Sequence, residues 1–246
     1  RASDVDEETL EKLHTVGVEQ VFVGVESGSQ SGLKRFKKGT TVQQNRKAIE
    51  TLRRVGIEDI TLGFMMFDPD VTISELRENI AFLEWAAIPD ARNLISQMMP
   101  FIGCPIYGRL LRDNRLRSEQ WFDVATYDYS DVQVKRLTRI FECTRTDILR
   151  HVQDSSRYAV LGRRPTSLLP QAAKRAHRKL KQISSRYESM VFDFGLYSLN
   201  RAIDVAPSDL SLDAARLELW STLADEQDKL QSLERKLREL AENMES

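Results

Sequence analysis

A carboxylate and a basic pair are the residues best placed, by type and spacing, to meet a ligand. Glu26 stands in the run Gly24-Val25-Glu26-Ser27-Gly28-Ser29-Gln30, and Lys37-Lys38-Gly39-Thr40 follows about twelve residues later. A carboxylate accepts hydrogen bonds from ribose hydroxyls or an amino group, and a lysine binds a carboxylate or a phosphate. The small residues Gly28 and Ser29 let a ligand approach the backbone closely. A plainer arrangement suits the same residues: Ser27 or Ser29 caps a helix, Glu26 is solvated and the lysines are surface. The pattern alone leaves both open.

Other candidate chemistry is sparse. The two cysteines, Cys104 and Cys143, are too few for a disulfide framework and too far apart for a zinc or cluster site. His14, His151 and His177 are scattered, and each reads as structural, so no metal ligand is expected in this chain. Phe192-Asp193-Phe194-Gly195 is not read as a kinase motif, because the glycine-rich strand and catalytic-loop patterns are lacking.

The element that must position Glu26 is the run VEQVFVGV at residues 18–25, which suits a strand covered on both faces in a parallel sheet. Before it, Leu10, Leu13 and Val16 predict a short amphipathic helix over residues 7–16, stopped by Gly17. After it, Val42, Ala48, Ile49, Leu52 and Val55 predict a helix over residues 41–55 that ends at Gly56. Residues 58–67 read as a second strand, Asp68-Pro69-Asp70 as a turn, residues 73–85 as a third helix, and residues 93–99 as a third strand. This alternation builds right-handed parallel crossover units, whose ligand crevice lies beyond the carboxyl ends of the strands. About three strands fall short of the roughly eight of a closed barrel. The expected fold class is therefore α/β, either a partial parallel (β/α) barrel whose remainder is N-terminal or a small open sheet.

From residue 131 onward the chain is helical in pattern, with breaks near Gly162, Pro165, Pro170 and Pro207. The boundary is placed in residues 126–130, giving an α/β part at 1–125 and an all-α C-terminal domain at 126–246. Leu223, Leu230, Leu233, Leu237, Leu240 and Met244 form a short heptad stripe interrupted by Glu226, which either its own chain or a second copy would cover. Arg163, Arg164, Lys174, Arg175, Arg178, Lys179, Lys181 and Arg186 make a basic stretch with Tyr187 as its one nearby aromatic. That favours a solvated helix face over a nucleic-acid surface.

At 246 residues, 41% hydrophobic and 30% charged, the chain has a globular composition. Thirty-six basic residues against thirty-seven acidic ones leave a net charge of -1, too little to gather nucleic acid or an anionic membrane. No run reaches the roughly 18 apolar residues of a spanning helix, and the first residues are charged, so a soluble, cytoplasmic protein is expected.

Residues 17–86 resemble the second half of the radical S-adenosylmethionine barrel, in the form shared by methylthiotransferase-like, coproporphyrinogen dehydrogenase-like and, most closely, cobalamin-dependent members. A strand ending in GVESGS, a basic residue and Gly before a helix, Gly-Ile, a strand ending in FDP, and Thr72 opening the next helix carry the resemblance. Further on, MMPFIGCPIYGRLLRDNRL resembles the family's P-x-x-G-T-P-x-Y segment, with Cys104 in place of Thr. The likeness covers about residues 1–116.

The resemblance implies that Glu26 contacts the ribose of S-adenosylmethionine, that Lys38 pairs with its methionyl carboxylate, and that Met65 covers the adenine. Gly63 occupies a position that carries a ribose-binding acid in some relatives. The family's C-x-x-x-C-x-x-C loop, which ligates the 4Fe-4S cluster, has no counterpart in this sequence. The implied function is radical chemistry on an organic or peptide substrate, with cobalamin-dependent methyl transfer the first choice and a modification or ring-forming reaction without cobalamin the second. The implied partner is the missing N-terminal barrel half or a chain that supplies it, and the catalytic residues stay unassigned. The competing class is a non-catalytic interaction protein that uses an open half-barrel and a helical tail.

Overall fold

The structure, a computed structural model, describes residues 2–117, 126–162 and 171–245. These fall into two compact units, one of residues 1–88 and 96–136, the other of residues 89–95 and 137–246.

In the first unit, helix α1 (Glu7–Thr15) starts at Asp6, whose side chain accepts from Thr9 N. It leads through Gly17, at φ +95°, into strand β1 (Gln20–Glu26). A six-residue helix α2 (Gln30–Arg35) follows, then α3 (Val42–Val55), strand β2 (Asp59–Phe64) and α4 (Ile73–Ala86). Thr41 and Thr72 open α3 and α4 with complete capping boxes, using Gln44 and Glu75. Gly56 closes α3 in the left-handed conformation that a glycine adopts without penalty.

Strands β1 and β2 pair in parallel, with Val23 opposite Leu62 and Gly24 opposite Gly63. Val23 and Val25 of β1 and Ile60, Leu62 and Phe64 of β2 are buried, together with Ile49 and Leu52 of α3 and Leu76, Ile80 and Leu83 of α4. Asn45 of α3 donates from Nδ2 to Val25 O at 3.1 Å, which ties that helix to β1. The other strand positions carry Phe22, Gly24, Thr61 and Gly63, and Phe22 is 69% exposed. The expected strand buried on both faces is thus corrected: β1 alternates, because Phe22 is the one bulky apolar side chain on its second face.

A second correction concerns residues 93–99. Their first part is the helical turn α5 (Arg92–Ile95), whose buried residues Leu94 and Ile95 belong to the second unit. Only Gln97 makes a parallel bridge, with Phe67; Phe67 N donates to Ser96 O and Met98 N to Phe67 O. An apolar run of this length reads the same as a strand or as a buried turn. Helix α6 (Pro105–Arg112) then begins with proline in its first turn.

The second unit is built on three long helices, α7 (Val132–Gly162), α8 (Gln171–Val205) and α9 (Leu212–Glu245), the first of which starts in the first unit. On α9, Leu219, Leu223, Leu230, Leu233 and Leu237 are buried where it packs along α8, and Leu240 is half-buried. The leucine stripe is therefore met by its own chain, each buried leucine contributing roughly 1.5–3 kcal/mol. The Met244 side chain, Arg163 and Arg164 lie outside the described residues. Arg175, Arg178, Lys179, Lys181 and Arg186 are exposed, as a solvated face requires. Leu94 of α5 packs against Gly195 of α8, where a Cβ would lie 3.0 Å from Leu94 Cδ1.

Candidate functional site

The polypeptide turns sharply where β1 ends. The β1–β2 register slips between Gly24 and Glu26, and Glu26 sits at φ +67°, a left-handed conformation that costs a non-glycine residue about 1–3 kcal/mol. Met65 N donates to Glu26 O at 2.9 Å, which fixes the turn against the end of β2. Beyond it, Ser27 Oγ and Gly28 N both donate to Asn79 Oδ1 of α4, at 2.8 and 2.7 Å, so the Gly28 loop is pinned to that helix. Gly28 is required sterically: a Cβ there would lie 2.3 Å from Phe82 Cβ.

Glu26 and Lys38 are brought together. Lys38 Nζ donates to Glu26 Oε1 at 2.6 Å, with the two side chains 19% and 25% exposed. The pair lies over Gly24, where a Cβ would meet Glu26 Oε1 at 3.0 Å and Lys38 Nζ at 3.2 Å. On the neighbouring strand, a Cβ at Gly63 would lie 2.7 Å from the tip of the Phe22 ring. The two facing glycines thus leave room on the sheet for these two side-chain groups. Met65, half-buried, directly follows β2 at this end. The capping arrangement is absent: Ser29 stands at the start of α2 but makes no side-chain cap bond, and its hydroxyl meets that of Ser31 at 2.8 Å.

A second charged cluster escaped the sequence reading. Arg35, in the last turn of α2, donates to both oxygens of Asp68, from Nε at 2.9 Å and Nη2 at 2.7 Å. It also reaches Glu75 of α4, from Nη1 at 2.9 Å and Nη2 at 3.1 Å. One guanidinium faces two buried carboxylates. Burial is the largest influence on both; it keeps Asp68 above the usual carboxylate range, while at Glu75 the bonds from Arg35, Ser31 and Thr72 outweigh it and hold the group below. Asp70 is held by Arg109 and by Arg115 Nη1 at 2.7 Å, which leaves it low despite its burial. The acid-rich turn Asp68-Pro69-Asp70 and Arg35, two residues before Lys37, were the available signals.

The glycine-lined sheet surface with one carboxylate and one ammonium fits an adenosyl ligand that carries both hydroxyls and a carboxylate. The cluster does not fit this chain: Cys104 and Cys143 fall in different units, and no group of three His, Cys, Asp or Glu side chains suited to a metal occurs among the described residues. No helix among the described residues is long and apolar enough to cross a membrane.

Residues 1–83 match the Radical SAM superfamily model. The chain is 40% identical over 88 residues to the 4'-phospho-dehydrooxetanocin synthase of Priestia megaterium, a stretch that covers 34% of this chain and 12% of that protein. It is 25% identical over 146 residues to an uncharacterized methyltransferase of Pyrococcus horikoshii, covering 56% of this chain and 31% of the relative. The chain thus spans less than a third of either relative. Among solved structures it resembles the cobalamin-dependent S-adenosylmethionine radical enzyme OxsB with aqua-cobalamin and S-adenosylmethionine bound. The TM-score is 0.55 at 15% identity, over 97% of this chain and 38% of that one, a likeness of fold. The family match thus covers β1, β2 and the helices that accompany them, about a third of the chain, and the solved structure shares its fold of an α/β part followed by helices.

Proposed function

We propose that this chain furnishes part of the S-adenosylmethionine site of a radical enzyme acting on an organic substrate. The observation that carries the reading is the Glu26–Lys38 pair, formed across Gly24 at the carboxyl end of β1 from residues twelve apart. Lys38 offers its ammonium to the methionyl carboxylate, Glu26 accepts from the ribose hydroxyls, and Met65 supplies an apolar contact for the adenine. The left-handed turn at Glu26 supports this, since strained backbone persists where surrounding contacts over-determine it, as at ligand sites.

In such an enzyme, S-adenosylmethionine supplies the 5'-deoxyadenosyl radical once reduced by a cluster held on other residues. What these residues do is bind and orient the cofactor. Methyl transfer with cobalamin is the first choice of reaction, supported by one relative named a methyltransferase and by the fold shared with a cobalamin-dependent enzyme, and a peptide or other organic molecule is the substrate class. The full-length protein is expected to bind S-adenosylmethionine in equilibrium dialysis, and under anaerobic reduction to release 5'-deoxyadenosine or a methylated product. A protein that binds no adenosyl ligand at all overturns the reading.

One observation favours a second reading, a non-catalytic interaction protein: Phe22 stands 69% exposed on the sheet. A protein of that kind would keep its partner when Glu26 and Lys38 are both replaced, whereas cofactor binding would not survive.

A further inference from the structure

We propose that Arg35 is a positioning residue for Lys38, holding the turn that presents the lysine to the carboxylate of a ligand; this rests on the reading of Glu26 and Lys38 given above. Helix α2 has six residues, too few to keep its geometry unaided. What holds it is the guanidinium of Arg35, whose planar fork engages Asp68 through two parallel bonds and Glu75 through two more. Asp68 comes from the turn after β2 and Glu75 from the first turn of α4, so one side chain fixes three segments. Both acceptors are themselves anchored. Asp68 Oδ1 also accepts from Asp70 N at 3.0 Å, and Glu75 Oε2 from Thr72 N at 2.9 Å.

Between Arg35 and Lys38 the backbone has little freedom. Phe36 N donates to Gly32 O at 3.0 Å, Lys37 N to Lys34 O at 3.1 Å and Lys38 N to Leu33 O at 3.1 Å. Lys37 adopts φ +52° and Gly39 φ +70°, so Lys38 rides on a tight turn at the end of α2. Any rotation of that helix end carries Lys38 away from the strip above Gly24. A lysine at position 35 would keep the charge but could not form the two-sided fork.

The test uses the full-length protein and two ligands, S-adenosylhomocysteine, which bears the aminocarboxylate, and 5'-methylthioadenosine, which lacks it. In Arg35→Lys, affinity for S-adenosylhomocysteine is expected to fall about tenfold, with less than a twofold change for 5'-methylthioadenosine. Lys38→Met should show the same selective loss and, combined with Arg35→Lys, little further loss. Equal weakening of both ligands by Arg35→Lys, or no weakening, overturns the positioning role while leaving the ligand reading in place. If Lys38→Met itself loses no preference for the carboxylate-bearing ligand, the ligand reading falls and the positioning role with it. Should Arg35→Lys fail to fold, Asp68→Asn, which loosens one side of the fork and keeps an acceptor, reads the same ratio, and an unchanged ratio there overturns the proposal.

Discussion

Lys38 Nζ meets Glu26 Oε1 at 2.6 Å over Gly24, where a Cβ would crowd both groups, at 3.2 and 3.0 Å. The two groups are mostly shielded from water, so each is a charge-assisted partner of more than surface strength. Replacing Lys38 by Met is expected to remove about 1.5–3 kcal/mol of binding to the cofactor carboxylate, a ten- to hundredfold rise in Kd for S-adenosylmethionine. Glu26→Ala should cost less, because a water molecule can take the place of a ribose contact. Unchanged affinity in both variants, measured by calorimetry, would end the case for this site.

Iron binding gives an independent check. A three-thiolate loop is the requirement for the cluster, and Cys104 and Cys143 cannot provide it. This chain produced alone and reconstituted anaerobically is expected to hold no stoichiometric iron and sulfide. A full complement of both, with the absorbance of a cluster, would contradict that.

Much of the first unit was legible because its signals are local. Thr41 and Gly56 bracket α3, Thr72 opens α4, and the apolar spacing between them repeats every three or four residues. The Glu26–Lys38 proximity could be anticipated, since both positions follow from a strand end and the loop before a helix. What could not be read is long-range. Arg35 meets Asp68 and Glu75 across 33 and 40 residues, and no periodicity marks such a partnership. The left-handed turn at Glu26 was equally hidden, because such a conformation is usually announced by glycine or asparagine. Residues 93–99 misled because strand and buried helical turn share one apolar pattern, and only tertiary packing separates Leu94 from the bridge at Gln97.

Gly28 tests how tightly the loop after β1 is held. An added methyl would lie 2.3 Å from Phe82 Cβ and 3.1 Å from Glu78 O, so either α4 or the loop must move. Phe82 is 1% exposed and cannot swing into solvent. Gly28→Ala is expected to destabilise the protein by about 1–3 kcal/mol in urea unfolding, the usual cost of overpacking. It should also disturb the bonds from Ser27 and Gly28 to Asn79. Unaltered stability would mean that the approach of α4 is looser than this geometry.

The helical unit carries a titration of its own. His151 of α7 is 1% exposed and shares a 2.7 Å hydrogen bond with Tyr187 of α8, while Glu234 of α9 stands 3.9 Å away. Burial is the largest influence and pushes the imidazole below its ordinary value of 6.5; Arg150 adds to this, and Glu234, Asp147 and Asp154 oppose it. A histidine with a lowered folded pKa binds fewer protons folded than unfolded, so stability rises with pH through the interval between the two values. The contribution of His151 is therefore complete above the unfolded value and is lost as pH falls below about 6.5 toward the lower folded value. Thermal melts of the wild type between pH 8 and 5 should show Tm dropping in that window. In His151→Gln, which keeps an amide near Tyr187 without a titrating ring, the drop should shrink, although Tm at pH 8 is lowered by imperfect packing. An equally steep loss in that variant would place the acid sensitivity on other groups.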